Sequence, residues 1–217
     1  MCIAETVTFE HVPMSPLFTK ADAWTGGSID VLMFFPGAGV DHAICVGRRL
    51  WGFARLDGPY RDRTIEPASQ PKADFTRFTS EGCEQLRGVM HYADGSFSPF
   101  IHTSIIDDDG LWVYAGPSLG GLPPDWGVGA YPFGDGRPTP WLELLCSTLR
   151  DLAQHIHSHC PVRVAAFGWL DLADPDMLLS VLRDGVPPDR WVGLSLWEGD
   201  CPTYYPPTHS EAPMSIP

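Results

Sequence analysis

Basic residues are scarce in this sequence. The 217-residue chain carries 14 Lys and Arg against 27 Asp and Glu, a formal net charge of −13. Such a surface repels phosphate backbones and anionic headgroups, so nucleic acid and membrane surfaces are excluded as expected partners and a basic partner is favoured. Long apolar runs are missing as well: no stretch approaches the roughly 18 residues of a membrane span. The start, MCIAETVTFEHVPM, has no positively charged segment leading into an apolar run, so no signal peptide is expected and the expected location is the cytoplasm. The six cysteines, at 2, 45, 83, 146, 160 and 201, form no C-x-x-C pair. They are expected to be reduced thiols, mostly buried as small apolar side chains, rather than a disulfide framework. No internal repeat is visible.

What is present is globular. Hydrophobic residues make up 44% and charged ones 19%, enough apolar material for a substantial core and too little charge for disorder. With 22 Gly and 22 Pro, many turns and long loops are expected. In the first half, TVTFEHV (6–12) alternates and IDVLMFF (29–35) is an apolar run stopped by Pro36-Gly37. AICVG and LWGFARL flank Gly47-Arg48-Arg49 and are expected to pair as a hairpin. The polar stretch 57–82 is expected to be a long loop. LRGVMHY then meets FSPFIHTSII across Ala93-Asp94-Gly95-Ser96, where Asp-Gly signals a hairpin. A second turn at DDDG (107–110) leads into LWVYAG, and a Gly- and Pro-rich loop leads to a short strand, VGAYPF (128–133).

The second half contains the best helix, PWLELLCSTLRDLAQHIHSH. Thr139 can cap it, Pro140 suits its first position, and Leu142, Leu145, Leu149, Leu152, Ala153 and Ile156 form one apolar face. VRVAAFGWL reads as a strand, DPDMLLSVLRDG as a second capped helix and RWVGLSLW as a last strand. The expected class is α+β: a mainly antiparallel sheet built from meanders, with two helices in the C-terminal half covering one face. Residues 1–200 are expected to form a single domain, and 201–217 a Pro-rich extended tail.

Several motifs have plainer readings. GPSLG (116–120) matches the G-x-S-x-G nucleophile elbow, but that motif needs a helix directly after the serine, and Pro123-Pro124 prevent one. Ser118 is therefore expected in an ordinary tight turn. FFPGAGVDHA lacks both the third glycine of a dinucleotide loop and a Walker lysine, and a strand rather than a helix is expected to follow it. Three consecutive aspartates in DDDG cannot converge on one calcium ion. In HIHSHC (155–160) alternate histidines would share a face on a strand but not on a helix, where successive residues turn by roughly 100°. Only His155 and His159 could act together there, without the glutamate of a metalloprotease motif. No metal and no cofactor is expected.

The feature with most physical content is a gap in positive charge. Between Arg87 and Arg137 there is no Lys or Arg, but there are Asp94, Asp107, Asp108, Asp109, Asp125 and Asp135, with Trp112, Tyr114, Trp126 and Tyr131 among them. Acids beside aromatic anchors suit the capture of a basic protein, because charge speeds encounter and desolvated rings hold the complex. Asp107, Asp108, Asp109, Trp112, Asp125, Trp126 and Asp135 are the candidate partner-binding residues. Arg48, Arg49, Arg55, Arg61 and Arg63 form a contrasting basic group, expected to neutralise acids within the fold.

Over 111–156, the order LWVYAGPSLGG, a Gly-rich strand, then PTPWLELLCSTLRDLAQHI resembles the suppressor-of-fused type of domain. In that family a strand ending in a Gly-x-Ser turn precedes a leucine-rich helix opened by Pro-Trp. Bacterial members are found among immunity proteins that neutralise toxins of neighbouring cells. The resemblance implies a binding role and supplies no catalytic residues. The sequence thus points to an acidic, cytoplasmic, non-enzymatic binding protein, and the expected kind is an immunity or inhibitor protein that occludes the active site of a basic toxin. The alternative is a small hydrolase using Ser118 or a cysteine with a histidine base.

Overall fold

The apolar run after Ser28 becomes the middle of the molecule. In the computed structural model, which describes residues 17–74, 84–126, 140–169 and 175–209, strand β1 (Asp30–Pro36) has five consecutive buried residues. A strand buried on both sides needs partners at both edges and cover on both faces, and β1 has all of these. Strand β5 (Gly110–Pro117) pairs with one edge and β6 (Val164–Gly168) with the other. Outward from β5 run β4 (Phe97–Ile106), β3 (Glu84–His91) and β2 (Leu56–Tyr60); outward from β6 run β7 (Gly193–Trp197) and β8 (Pro202–Tyr205). The order is β2-β3-β4-β5-β1-β6-β7-β8, and every pairing is antiparallel. The class expected from sequence, α+β on an antiparallel sheet, is the class observed.

Alternation along β1 sorts the core into two layers. Val31, Met33 and Phe35 face the helices α1 (Val40–Trp51) and α2 (Pro140–His157), packing with Val46, Leu50, Leu145, Leu149 and Leu152. Leu32 and Phe34 face the other way, with Trp112, Val164 and Ala166, under Leu178 and Val181 of α3 (Pro175–Asp184). The expectation that both C-terminal helices share one face is therefore corrected. Because β1 is apolar on both sides, α2 covers one layer jointly with α1, and α3 covers the opposite one.

Helix α1 is a second correction. The expected hairpin about Gly47 is a single helix whose buried residues are Ala43, Val46, Gly47, Leu50 and Trp51. These stand at steps of three, four, seven and eight, one helical stripe. Gly47 lies on the buried side of that stripe and is not a turn. Consequently a helix, not a strand, follows the GAG of FFPGAGVDHA, although the third glycine and the lysine of phosphate loops are still missing.

The β3–β4 and β4–β5 turns fall where the Asp-Gly signals place them. Of the stretch 57–82, the first residues belong to β2, while a 3-10 turn at Pro67–Ser69 follows. Gln70 ties that loop together, donating to the carbonyls of Asp62 (2.6 Å) and Ile65 (2.7 Å). Residues 75–83, the short strand expected at 128–133, and the cap residues Thr139 and Asp174 lie outside the described residues.

Candidate functional site

The aspartate triplet occupies the β4–β5 turn, and its first member is used by the turn itself. Asp107 Oδ1 accepts the backbone N–H of Asp109 at 2.9 Å and of Gly110 at 3.0 Å. Its Oδ2 accepts the indole N–H of Trp112 at 2.7 Å. An Asx turn of this kind explains aspartate at that position without a partner. Trp112 is not an anchor at the surface: it is 2% exposed and stacks on Phe34 with ring centroids 4.0 Å apart. That expectation is corrected, since β5 alternation sends the ring into the layer under α3. Asp108 and Asp109 remain exposed.

Asp125 and Trp126 lie elsewhere. They end a 3-10 turn (Pro124–Trp126) beyond the far end of β5. That strand has eight residues, so about 25 Å of strand separates them from the triplet. The expected binding residues thus fall into two groups at opposite ends of the sheet, while Asp135 lies outside the described residues.

At the Trp126 end the structure assembles residues that were not expected to meet. The β3–β4 turn points the same way and brings Tyr92 against Trp126 with centroids 4.8 Å apart. Trp141, in the first turn of α2, lies over Trp126 at 6.2 Å with rings inclined by 23°. Tyr92 is buried, whereas Trp126 and Trp141 are half-buried. Burial lifts the Tyr92 hydroxyl far above the usual phenol range, and it shares a hydrogen bond of 2.6 Å with Ser98. Asp94 stands beside this group in the turn. Hydrogen bonds from the Ser96 side chain and backbone, and from the Trp126 side chain, hold its carboxyl below the usual carboxylate range. Asp94, Asp125 and Glu143 are all exposed. Asp94 was legible as a turn residue and as one acid of the gap in positive charge, and Trp141 only as a helix opener; nothing in the spacing joins either to Trp126.

The other sequence motifs resolve into structural roles. Ser118 is 1% exposed, and its hydroxyl donates to the carbonyl of Thr25 at 3.1 Å. His102, on the α1/α2 side of β4, sits in a buried chain with Trp51 and Ser104. The Trp51 indole N–H donates to His102 Nδ1 at 3.2 Å, so the ring proton is on Nε2, 2.7 Å from the Ser104 hydroxyl. Burial lowers the pKa of His102 to about 3, which keeps the ring neutral.

Of the HIHSHC histidines, His155 and His159 share one flank of the helix end, their ring centroids 5.8 Å apart, and His157 points away from them. His155 reaches the carbonyl of Arg49 on α1 at 3.2 Å, His157 stacks on Trp197 at 5.2 Å, and His159 is exposed. His157 Nδ1 accepts the backbone N–H of Val162, closing the turn after the helix. No group of three or more His, Cys, Asp or Glu is placed to hold a metal among the described residues. The cysteines depart from expectation, since of the four described, Cys45 and Cys201 are exposed and Cys160 is buried. Of the basic group, Arg55 reaches Asp151 at 3.6 Å, while Arg48, Arg49 and Arg63 are exposed. The expectation that this group mainly neutralises acids thus holds for Arg55.

No protein-family model matches the chain, and no curated protein matches it. The resemblance to suppressor-of-fused domains accordingly stays an expectation. Among solved structures, the chain is similar to one from the crystal structure of the toxic C-terminal tip of CdiA from Pseudomonas aeruginosa in complex with immune protein. The two are 10% identical with a TM-score of 0.39, over 68% of this chain and 89% of that one. A likeness at that score carries no argument about function. No described helix is long and apolar enough to cross a membrane.

Proposed function

We propose that the protein is a non-enzymatic binding protein that captures a basic protein partner through its Trp126 end. In the sharpest form of this reading it is a cytoplasmic immunity protein, and the partner is a toxin whose active site it covers. The observation that carries the proposal is the Tyr92–Trp126–Trp141 group, whose two half-buried indoles lie beside the exposed carboxylates of Asp94 and Asp125. Two partly exposed indoles, backed by a buried tyrosine, offer rigid apolar area that loses little entropy on binding. The neighbouring carboxylates steer a cationic surface toward them and reject acidic ones. Asp108 and Asp109, at the opposite end of β5, serve as an internal control and not as part of this contact.

The test uses the product of the gene directly upstream as the candidate toxin, with association measured against ionic strength. Asp94→Asn with Asp125→Asn is expected to slow association several-fold at low salt and flatten its salt dependence. Trp126→Ala is expected to speed dissociation about 30-fold, the effect of a 2 kcal/mol anchor. Asp108→Asn with Asp109→Asn is expected to change neither rate. Failure of the upstream product to bind, or sensitivity confined to Asp108 and Asp109, overturns the proposal.

A further inference from the structure

Cys45 and Cys160 are 115 positions apart in sequence, yet their sulfurs lie 3.0 Å apart. Cys45 is on the exposed side of α1, and Cys160 is 1% exposed in the turn that follows α2. The Cys160 backbone is fixed there, its N–H donating to the carbonyl of Ile156 at 2.8 Å. Neither sulfur has to travel far, because a shift of about 1 Å brings the pair to disulfide bonding distance. The geometry points to an oxidative modification site: Cys45 reacts with a peroxide-class oxidant from solvent, and Cys160 resolves it to a disulfide joining α1 to the end of α2.

The two thiols divide the work by position. Cys45, open to solvent, is the one a peroxide can reach. Cys160 is sheltered; burial, and then the adjacent Cys45 sulfur, push its thiol up to about 12, so it is a poor first nucleophile. In the first step the Cys45 thiolate attacks one peroxide oxygen, the O–O bond breaks, and hydroxide leaves, giving the sulfenic acid of Cys45. In the second step the Cys160 sulfur attacks the Cys45 sulfur, the S–O bond breaks, and the Cys160 proton leaves with the departing oxygen as water. Two thiols and one hydrogen peroxide thus become one disulfide and two waters, with two electrons passing from sulfur to oxygen. The positive charge of Arg49, one helical turn after Cys45, acts on the Cys160 sulfur and eases its deprotonation as the second step proceeds.

The inference is independent of the partner-binding reading and is tested on the full chain alone. Trypsin places Cys45 in the peptide 21–48 and Cys160 in the peptide 151–163, each with no other cysteine. After one equivalent of hydrogen peroxide, non-reducing mass mapping is expected to find these two peptides linked in most molecules. The free-thiol count should fall by two per chain. Thermal unfolding of the oxidised protein should shift upward by about 5 °C or more, as a cross-link closing a long loop requires, and return on reduction. Cys45→Ser, a change at an exposed position, is expected to abolish the link and the thermal shift and to leave Cys160 reduced. Finding Cys45 over-oxidised or bridged to another cysteine while 151–163 keeps its free thiol would overturn the assignment. Loss of the Cys160 thiol in Cys45→Ser would do the same.

Discussion

His102 gives the fold a calculable sensitivity to acid. Its ring is 2% exposed, and burial lowers its pKa from the ordinary 6.5 to about 3. The native state refuses a proton that the unfolded chain accepts, so the unfolded state binds more protons below pH 6.5. Stability therefore rises with pH through the window from about 3 to 6.5 and is independent of His102 above it. A displacement of this size corresponds to about 5 kcal/mol over the whole window, and about 2 kcal/mol is already lost by pH 5. The perturbation is His102→Gln, which removes the titration and retains hydrogen-bonding capacity toward Trp51 and Ser104. Urea unfolding of both proteins at pH 7.5, 6 and 5 separates this group from the other histidines, because they titrate equally in each. At pH 7.5 the variant is expected to be less stable by about 1–3 kcal/mol, the cost of disturbing a buried hydrogen-bonded chain. On going to pH 5 the gap should narrow by about 2 kcal/mol. A gap that stays constant within about 0.5 kcal/mol would refute the reasoning, since His102 would then titrate alike in both states.

Two further perturbations follow from single side chains. Asp107→Ala removes the acceptor of two turn N–H groups and of the Trp112 indole, and should cost about 2–3 kcal/mol in thermal unfolding. Asp108→Ala, a residue exposed in the same turn, should stay within about 0.5 kcal/mol of the parent. Arg190 holds the chain after β8, donating to Pro206 O at 2.9 and 3.1 Å and to Pro187 O at 2.5 Å. Arg190→Gln should leave global stability within about 1 kcal/mol, but limited proteolysis near Tyr204 and Tyr205 should quicken several-fold through local opening.

Much of the architecture was readable because local signals agreed with each other. In α2, Pro140, the leucine stripe and the closing Pro161 all describe one helix, and the structure has it at Pro140–His157. The Asp-Gly turns fixed the β3-β4-β5 meander in the same way. Helix α1 was misread because Gly47-Arg48-Arg49 looks like a turn, although Ala43, Val46, Leu50 and Trp51 carry the helical period. A glycine on the packed side of a helix and a glycine in a hairpin are the same letter, and only the neighbours on both sides tell them apart. The two-sided burial of β1 left a trace in its unbroken apolar run, but nothing local says that its second edge is taken by β6. The candidate site fared likewise. Acid-rich turns and tryptophans were visible as residues, yet which ones share an end of the sheet depends on strand direction. Trp112 and Trp126 illustrate this, one committed to the core by β5 alternation and the other left at the surface beyond that strand's end.

The central place of β1 also bears on how the chain is made. Val31 pairs with Ala115 on one side and with Phe167 on the other. Neither partner exists when β1 leaves the ribosome, and the β6 edge is supplied last. Such distant pairings slow folding, because much loop entropy is lost before any contact rewards it. Until β6 emerges, a strand with five consecutive buried residues in the finished fold presents an open edge suited to joining another chain. The segment that organises the finished sheet is thus a point of vulnerability during synthesis.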